Sequence, residues 1–196
     1  MTQQPTTIVL IHGFGGKRLW MAPLAHRLNR NYDVLNWSYF SYGGSIERHG
    51  TKLAKFLDNL GPEGNVNIVA HSMGSIVTRV ALQKTTSTIN RVVMLAPPNC
   101  GSNVARIAVP ILGSISTPIR QLSSCNNSFV NSLTDDPTCE IGVIASQYDV
   151  LVPVKNTIMK NLTDHQVILG THNSLLFSSR VAKMTDVFIR TGKFAA

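Results

Sequence analysis

A serine, an aspartate and a histidine each stand at or shortly after the end of an apolar, β-branched segment of this sequence. They are Ser72, Asp149 and His172, in that order along the chain. A serine hydroxyl is a poor nucleophile at neutral pH, so it needs an imidazole to accept its proton and a carboxylate to orient that imidazole. The three residue types therefore predict the nucleophile, the acid and the base of one catalytic site.

The neighbours of Ser72 fit a sharp turn between a strand and a helix. Such a turn lifts the hydroxyl above the sheet, but it presses the positions two before and two after the serine against neighbouring chain, so both must be small. Those positions hold Ala70 and Gly74. Small residues around a serine are common in turns of any α/β protein. The prediction that Ser72 is a nucleophile therefore depends on the matching aspartate and histidine.

A glycine-rich turn, His12-Gly13-Phe14-Gly15-Gly16, follows the first apolar segment. Its glycines allow the backbone to approach a bound molecule closely. Stabilising negative charge on a carbonyl oxygen requires converging backbone N–H groups, which form an oxyanion hole. We expect one from Phe14 and the other from Met73, which begins the helix after Ser72 and lies at the positive end of the helix dipole.

The elements that must position these residues are short apolar segments alternating with segments of helical period. This alternation predicts an α/β protein with a doubly wound, mostly parallel six-stranded sheet and helices on both faces. Strands are expected at 7–11, 32–39, 66–70, 91–96, 140–145 and 166–169, and helices at 18–30, 46–60, 73–84 and 174–190. In such a sheet the ligand site lies beyond the carboxyl ends of the strands, where all the candidate residues fall.

Other carboxylates and imidazoles compete for the same roles. Asp135 and Asp136 lie in a loop that favours turn formation, and Asp164 and His165 precede the sixth strand, at the opposite edge of the sheet. Asp149 and His172 are therefore preferred. Of the remaining histidines, His71 is expected to pack or hydrogen-bond beside the nucleophile, His12 to order the glycine turn, and His26 and His49 to lie on helix surfaces.

Eighteen Lys and Arg against ten Asp and Glu residues give a net charge of +8, which favours anionic partners such as a phospholipid membrane. The basic residues are scattered and lack the aromatic interleaving of a nucleic-acid groove, so no nucleic-acid binding is expected. Lys17 and Arg18, just past the glycine turn, are interpreted as solvated helix-start charges, with contact to an anionic headgroup as the alternative.

Length and composition favour a single domain over residues 1–196. Cys100, Cys125 and Cys139 form no CxxC pair, so neither a disulfide framework nor a thiolate zinc site is predicted. The N-terminus shows no basic region followed by an apolar run, and no apolar stretch approaches the ~20 residues of a membrane span. We expect a cytoplasmic protein, or a secreted one if a signal peptide has been removed.

Four short segments make the sequence similar to the α/β-hydrolase superfamily, and most closely to the small lidless bacterial lipases and esterases. They are "HGFGG" at 12–16, "AHSMG" at 70–74, "YDVLVP" at 148–153 and "THNSLL" at 171–176, which resemble that family's oxyanion turn, nucleophile turn, acid loop and histidine loop. The resemblance implies a minimal six-stranded core, cleavage of an ester or lipid substrate through an acyl-serine intermediate, and neither a metal nor another cofactor.

The resemblance weakens over residues 99–137, between the fourth and fifth strands. Long loops often serve as lids or binding walls, so this segment is a candidate cap, with a short helix at Val104–Leu112 and an acyl-pocket wall at Val104–Leu122. The "APPNCGS" stretch at 96–102 is also similar to larger esterases and lipid deacylases. A lipid deacylase, thioesterase or acyltransferase with the same three residues, or a binding protein with an inactive site, therefore remains an alternative to an ester hydrolase.

Overall fold

The structure is a computed structural model that describes residues 6–60, 66–102, 116–123, 129–134 and 139–194. Its strands are β1 (Thr7–Ile11), β2 (Asp33–Trp37), β3 (Val66–His71), β4 (Ile89–Leu95), β5 (Glu140–Ser146) and β6 (Asp164–Ile168). They form one six-stranded sheet in the spatial order β2-β1-β3-β4-β5-β6, and every neighbouring pair is parallel. The predicted doubly wound sheet is confirmed.

The helices of the described chain are α1 (Arg18–Leu28), α2 (Ile46–Asp58), α3 (Met73–Leu82), α4 (Thr117–Gln121), α5 (Phe129–Ser132) and α6 (Ser179–Thr191). Two 3₁₀ turns, Val154–Thr157 and Ser174–Phe177, lie in the connections after β5 and β6. Ser45 caps α2 by accepting a hydrogen bond from the Arg48 N–H. Gly192 ends α6 in the left-handed conformation that glycine adopts without strain.

Helices cover both faces of the sheet. On one face α2 and α3 bury Leu53 and Ile76 against the strands, and on the other α1 and α6 bury Leu24 and Phe188. All six residues of β3 are therefore buried, which explains why the strands are continuous apolar runs instead of alternating ones. The strands end together at one edge of the sheet, which we call the carboxyl edge, and begin at the opposite, amino edge.

The last predicted helix, over 174–190, is two separate elements. Ser178 has an extended backbone, with φ −76° and ψ 122°, and its hydroxyl accepts a hydrogen bond from the Val181 N–H as the N-cap of α6. The chain therefore breaks between the 3₁₀ turn at Ser174–Phe177 and α6. β6 also begins two residues earlier than predicted, so Asp164 and His165 lie within the strand, at its amino end.

The prediction that His49 lies on a helix surface is wrong. Its side chain is buried, with its ring centroid 4.7 Å from that of Tyr39. Its Nε2 donates a hydrogen bond to the Gly43 carbonyl at 2.7 Å. The loop after β2 folds over the first turns of α2, which the helical period of α2 alone does not reveal. His26 is exposed, as expected.

Only part of the 99–137 segment falls within the described residues. It includes α4 and α5, whereas the candidate helix Val104–Leu112, the turn residues Asp135 and Asp136, and Cys125 lie outside them. A cap or pocket wall in this segment stays a prediction, as does the single domain. Among the helices that the structure describes, none is long and apolar enough to cross a membrane.

The close packing of α2 on α3 depends on Gly50. A Cβ at this position would overlap the Val80 side chain and lie 3.1 Å from the Val77 carbonyl oxygen. We expect Gly50→Ala to lower the free energy of unfolding by about 1–3 kcal/mol, because overpacking displaces the helices. Val80→Gly removes both the Cγ1 and the Cβ that the new methyl would meet, so urea unfolding should find Gly50→Ala/Val80→Gly more stable than the sum of the single effects. Additive effects would contradict the overlap.

Candidate active site

Ser72 occupies a strained turn between β3 and α3. Its φ of 53° and ψ of −126° lie in a region that residues other than glycine rarely adopt. The Ser72 N–H donates a hydrogen bond to the Leu95 carbonyl at 2.8 Å, and the half-buried side chain stands at the carboxyl edge. Gly74 permits the turn, because a Cβ there would lie 2.6 Å from the His12 carbonyl oxygen and 2.8 Å from that of Ile11. The steric reason predicted for a glycine at 74 is confirmed.

The structure brings Ser72, His172 and Asp149 into one continuous chain of hydrogen bonds. His172 Nδ1 lies 2.6 Å from Asp149 Oδ2, and His172 Nε2 lies 2.8 Å from Ser72 Oγ. A carboxylate can only accept, so Nδ1 carries the proton and Nε2 accepts the hydrogen bond from the serine hydroxyl. Imidazole and carboxylate are both buried, which keeps water from competing for these bonds. Such an arrangement can withdraw a proton from a serine as its oxygen attacks an electrophile.

Backbone hydrogen bonds fix the positions of the loops that carry Asp149 and His172. Asp149 Oδ1 accepts the N–H groups of Leu151 and Val152, each at 2.9 Å, which leaves Oδ2 for the imidazole. The Tyr148 N–H donates to the Gly170 carbonyl at 3.0 Å and so ties the loop after β5 to the loop after β6. The carboxylate and imidazole are thus oriented by neighbouring backbone rather than by each other alone.

His71 hydrogen-bonds to the histidine loop and packs against His172, as expected for a residue beside the nucleophile. Its Nε2 donates a hydrogen bond to the His172 carbonyl at 3.2 Å, and the two rings are 4.9 Å apart. Burial, together with the neighbouring His172 imidazole, lowers the pKa of His71 to about 3. His71 is therefore neutral near pH 7 and adds no positive charge beside His172.

The glycine turn after β1 is anchored by residues that sequence reasoning missed. The Tyr39 hydroxyl donates to the His12 carbonyl at 2.9 Å, the two rings stack 4.5 Å apart, and Ser41 Oγ accepts the Gly15 N–H at 3.0 Å. His12 Nδ1 donates to the Gly13 carbonyl at 2.9 Å, so it orders the turn, as predicted. The feature that could have identified Tyr39 and Ser41 from the sequence is their place shortly after β2, at the carboxyl edge.

The backbone N–H groups of Phe14 and Met73 stand on the two turns that meet at Ser72. Neither donates a hydrogen bond within the described residues. Met73 is the first residue of α3 and has no intrahelical acceptor, and its side chain is fully buried. Each residue therefore has a backbone N–H that is free to donate a hydrogen bond. Met73 can contact a bound molecule only through this backbone group, because its side chain is buried.

A cavity of about 120 Å³ adjoins the glycine turn. The turn itself forms one wall, and Trp20, His71, Asn173 and Leu176 form the others. His71 and Asn173 are the chain neighbours of Ser72 and His172, so the cavity lies next to the turns that carry these two residues.

Two of the competing residues, Asp164 and His165, lie at the amino end of β6. Asp164 Oδ2 accepts the Phe194 N–H at 2.8 Å, and His165 Nε2 is 2.8 Å from Thr157 Oγ1, both away from Ser72. Within the described ranges, no three His, Cys, Asp or Glu side chains are grouped so as to hold a metal ion.

A doubly wound parallel sheet with a serine at a strained strand-to-helix turn defines the class of α/β hydrolases. The sequence matches the model of the alpha/beta hydrolase family over residues 8–151. Because that match covers most of the chain, the protein belongs to the alpha/beta hydrolase family. Comparison with curated protein sequences gives no match.

Solved structures of lipases share this fold. The mature form of the lipase BlEst2 from Bacillus licheniformis has a TM-score of 0.71 at 18% identity, with 96% of this chain and 92% of that chain covered. Its propeptide form has a TM-score of 0.73 at 19% identity, with all of this chain but only 52% of that chain covered. The monoacylglycerol lipase from Paleococcus ferrophilus has a TM-score of 0.66 at 14% identity, covering 95% and 94%. At these identities the likeness concerns the fold alone.

The low pKa of His71 makes a prediction about stability. Between its folded value of about 3 and the ordinary value of 6.5, the unfolded chain binds a proton at this histidine and the folded chain does not. The free energy of unfolding must therefore fall as the pH drops below about 6.5. Between pH 6 and pH 5, we expect the native protein to lose about 1 kcal/mol more than His71→Asn, measured by urea unfolding.

The same replacement at the exposed His26 is the matched control, since it removes a histidine without a buried imidazole. If the native protein and His71→Asn lose stability in parallel over this pH range, the fold does not hold His71 neutral.

Proposed function

We propose that this protein is a lipase or esterase that hydrolyses carboxylic esters through an acyl-serine intermediate. The observation that carries the proposal is the hydrogen-bonded chain from Ser72 Oγ to His172 Nε2, 2.8 Å, and from His172 Nδ1 to Asp149 Oδ2, 2.6 Å. Ser72 is the nucleophile, His172 the general base and Asp149 the acid that orients the imidazole.

In the acylation step, Ser72 Oγ attacks the ester carbonyl carbon and its proton passes to His172 Nε2. The carbonyl oxygen becomes an oxyanion, which accepts hydrogen bonds from the Phe14 and Met73 amides. Asp149 stabilises the imidazolium, because Oδ2 faces the Nδ1–H at 2.6 Å. Collapse of the intermediate breaks the ester C–O bond, and the leaving alcohol oxygen takes the proton from Nε2. The acyl group stays on Ser72.

Deacylation repeats these steps with water. His172 Nε2 removes a proton from the water as its oxygen attacks the acyl carbon. The second oxyanion collapses, the bond to Ser72 Oγ breaks, and Nε2 returns its proton to the serine. The carboxylic acid leaves and the original hydrogen-bonded chain is restored.

The cavity beside the glycine turn fits the alcohol half of the ester. The leaving oxygen must lie close to His172 Nε2 to receive a proton, and Asn173 and Leu176, which form one wall of the cavity, follow His172 in the chain. The names of the similar structures, a lipase and a monoacylglycerol lipase among them, agree with an ester or lipid substrate.

A fluorophosphonate probe tests the nucleophile. The serine of an intact site attacks the phosphorus and remains covalently labelled, so we expect stoichiometric labelling of the native protein, located at Ser72 by peptide mass spectrometry. Ser72→Ala should not be labelled.

Ser75→Ala is the matched control. Ser75 lies three residues away, but its hydroxyl is fully buried and donates to the Ala70 carbonyl at 3.2 Å. This variant should keep the label and the turnover of p-nitrophenyl esters. An unlabelled native protein, or equal labelling of Ser72→Ala, would contradict the enzymatic function and favour a binding protein with an inactive site.

Tyr39→Phe tests the oxyanion turn. The lost hydroxyl holds the His12 carbonyl at 2.9 Å, so its removal lets the turn relax and the Phe14 amide drift from the oxyanion. Misplacing one donor acts mainly in the transition state, so we expect kcat for p-nitrophenyl butyrate to fall about tenfold with KM little changed.

Tyr32→Phe makes the same chemical change far from the site, where the hydroxyl donates to Asp186 Oδ1 at 2.8 Å. It should lower stability without changing kcat. If the two variants lose kcat equally, Tyr39 acts only through stability and the oxyanion turn is not its target.

A further inference from the structure

The described chain exposes its large apolar side chains unevenly. Eight of the eleven exposed ones lie within nine residues after the carboxyl end of β1, β2, β5 or β6: Leu19, Trp20, Phe40, Tyr42, Tyr148, Val150, Leu169 and Phe177. Leu19 is 79% exposed and Phe40 is 72% exposed. Isolated apolar side chains on a surface need no explanation, but a set gathered around one opening marks an interaction surface.

These eight side chains, which we call the apolar rim, lie at the carboxyl edge, where Ser72 also stands. Trp20 and Phe177 form an edge-to-face pair with centroids 6.4 Å apart, on the side of the cavity. Phe40 and Tyr42 lie 6.0 Å apart, and Tyr42 also contacts Phe14 of the glycine turn. Trp and Tyr are the residues that favour a boundary between water and lipid, because each has an apolar ring and a polar atom.

Exposed cations accompany the apolar side chains at the carboxyl edge. Four exposed cations lie at the first turns of helices that begin at the carboxyl edge: Lys17, Arg18, Arg48 and Arg180. None forms an ion pair with a carboxylate in the described chain.

The described carboxylates mostly lie at the other edge. Asp33, Glu140 and Asp164 are the first residues of their strands, and Asp58 is the last residue of α2. At the carboxyl edge the described chain has Asp149, which is buried, and Glu47, whose Oε2 accepts a hydrogen bond from Gln121 Nε2 at 2.7 Å. The edge that holds Ser72 therefore combines apolar side chains with cations that form no ion pair in the described chain. At the opposite edge cations lie among acids, as Arg91 does with Glu140 at 2.6 Å.

We infer that the apolar rim docks on an anionic phospholipid surface, so that the opening to Ser72 faces the membrane. Exposed rings and aliphatic side chains enter the boundary between headgroups and acyl chains, while the four cations meet the negative surface. The inference deepens the proposed function and rests on it, since it names a lipid aggregate as the place where the ester is met.

Vesicle cosedimentation tests the docking with Ser72→Ala protein, which should turn over no lipid. We expect strong binding to vesicles of equal parts phosphatidylcholine and phosphatidylglycerol, and at least about tenfold weaker binding to pure phosphatidylcholine. Adding Lys17→Ala/Arg18→Ala should weaken the anionic binding about tenfold, and adding Leu19→Ser/Phe40→Ser should weaken it similarly.

Matched controls change the same chemistry at other positions. Arg30→Ala/Lys55→Ala removes two exposed charges near helix ends at the amino edge, and Leu60→Ser/Val167→Ser removes two exposed apolar side chains outside the rim. Both control variants should bind anionic vesicles as strongly as the Ser72→Ala protein does. Equal binding to neutral and anionic vesicles, or controls as weak as the rim variants, would overturn the inference.

Sedimentation velocity without lipid tests the alternative that a second copy of the chain covers the apolar rim. A dimer that dissociates in Leu19→Ser/Phe40→Ser would assign the rim to self-association and overturn the membrane inference. Because no arm of the test measures turnover, its failure stays distinct from a failure of the proposed function, which fluorophosphonate labelling of the native protein decides.

Discussion

The close contact between two turns, one after β1 and one after β3, is the constraint on which the rest of the site depends. Gly74 presses against the carbonyl oxygens of Ile11 and His12, with no room for a Cβ. A Cβ on Gly13 would likewise lie 2.9 Å from the Ser72 Cβ. This contact holds Ser72 at positive φ and joins the two turns that carry Phe14 and Met73. Strain at one residue is tolerated because the surrounding parallel strands fix both turns.

Near that contact, Asp149 and His71 are buried with partners that match their charge states. Asp149 accepts three hydrogen bonds, two from backbone and one from His172. His71 is held neutral by burial and donates to the His172 carbonyl. A protonated His71 would oppose the imidazolium that His172 must become in the proposed mechanism. The neutral His71 thus positions the base without an electrostatic cost.

The parallel sheet also explains why the catalytic candidates and the apolar rim share one edge. Each connection that follows a strand leaves at the carboxyl edge, and each following helix begins there with its positive dipole end. Free amides for an oxyanion therefore collect at this edge, whereas carboxylates such as Asp33 and Glu140 stand at the strand starts. Under the proposed function, one topological property orients the catalytic residues and the membrane-facing surface together.

The sequence by itself determined the local features from which the fold is built. These are the continuous apolar runs, the caps at Ser45 and Gly192, and the small residues at 70 and 74. These are local properties, set by burial on two faces and by the space that a turn allows. It also indicated Ser72, Asp149 and His172, because the carboxyl ends of parallel strands must meet. Only the tertiary structure decided the distances that join them, the burial of His49, and the hydroxyl of Tyr39 on the His12 carbonyl. Those contacts link residues far apart in the chain, and no local periodicity encodes which loop folds over which helix.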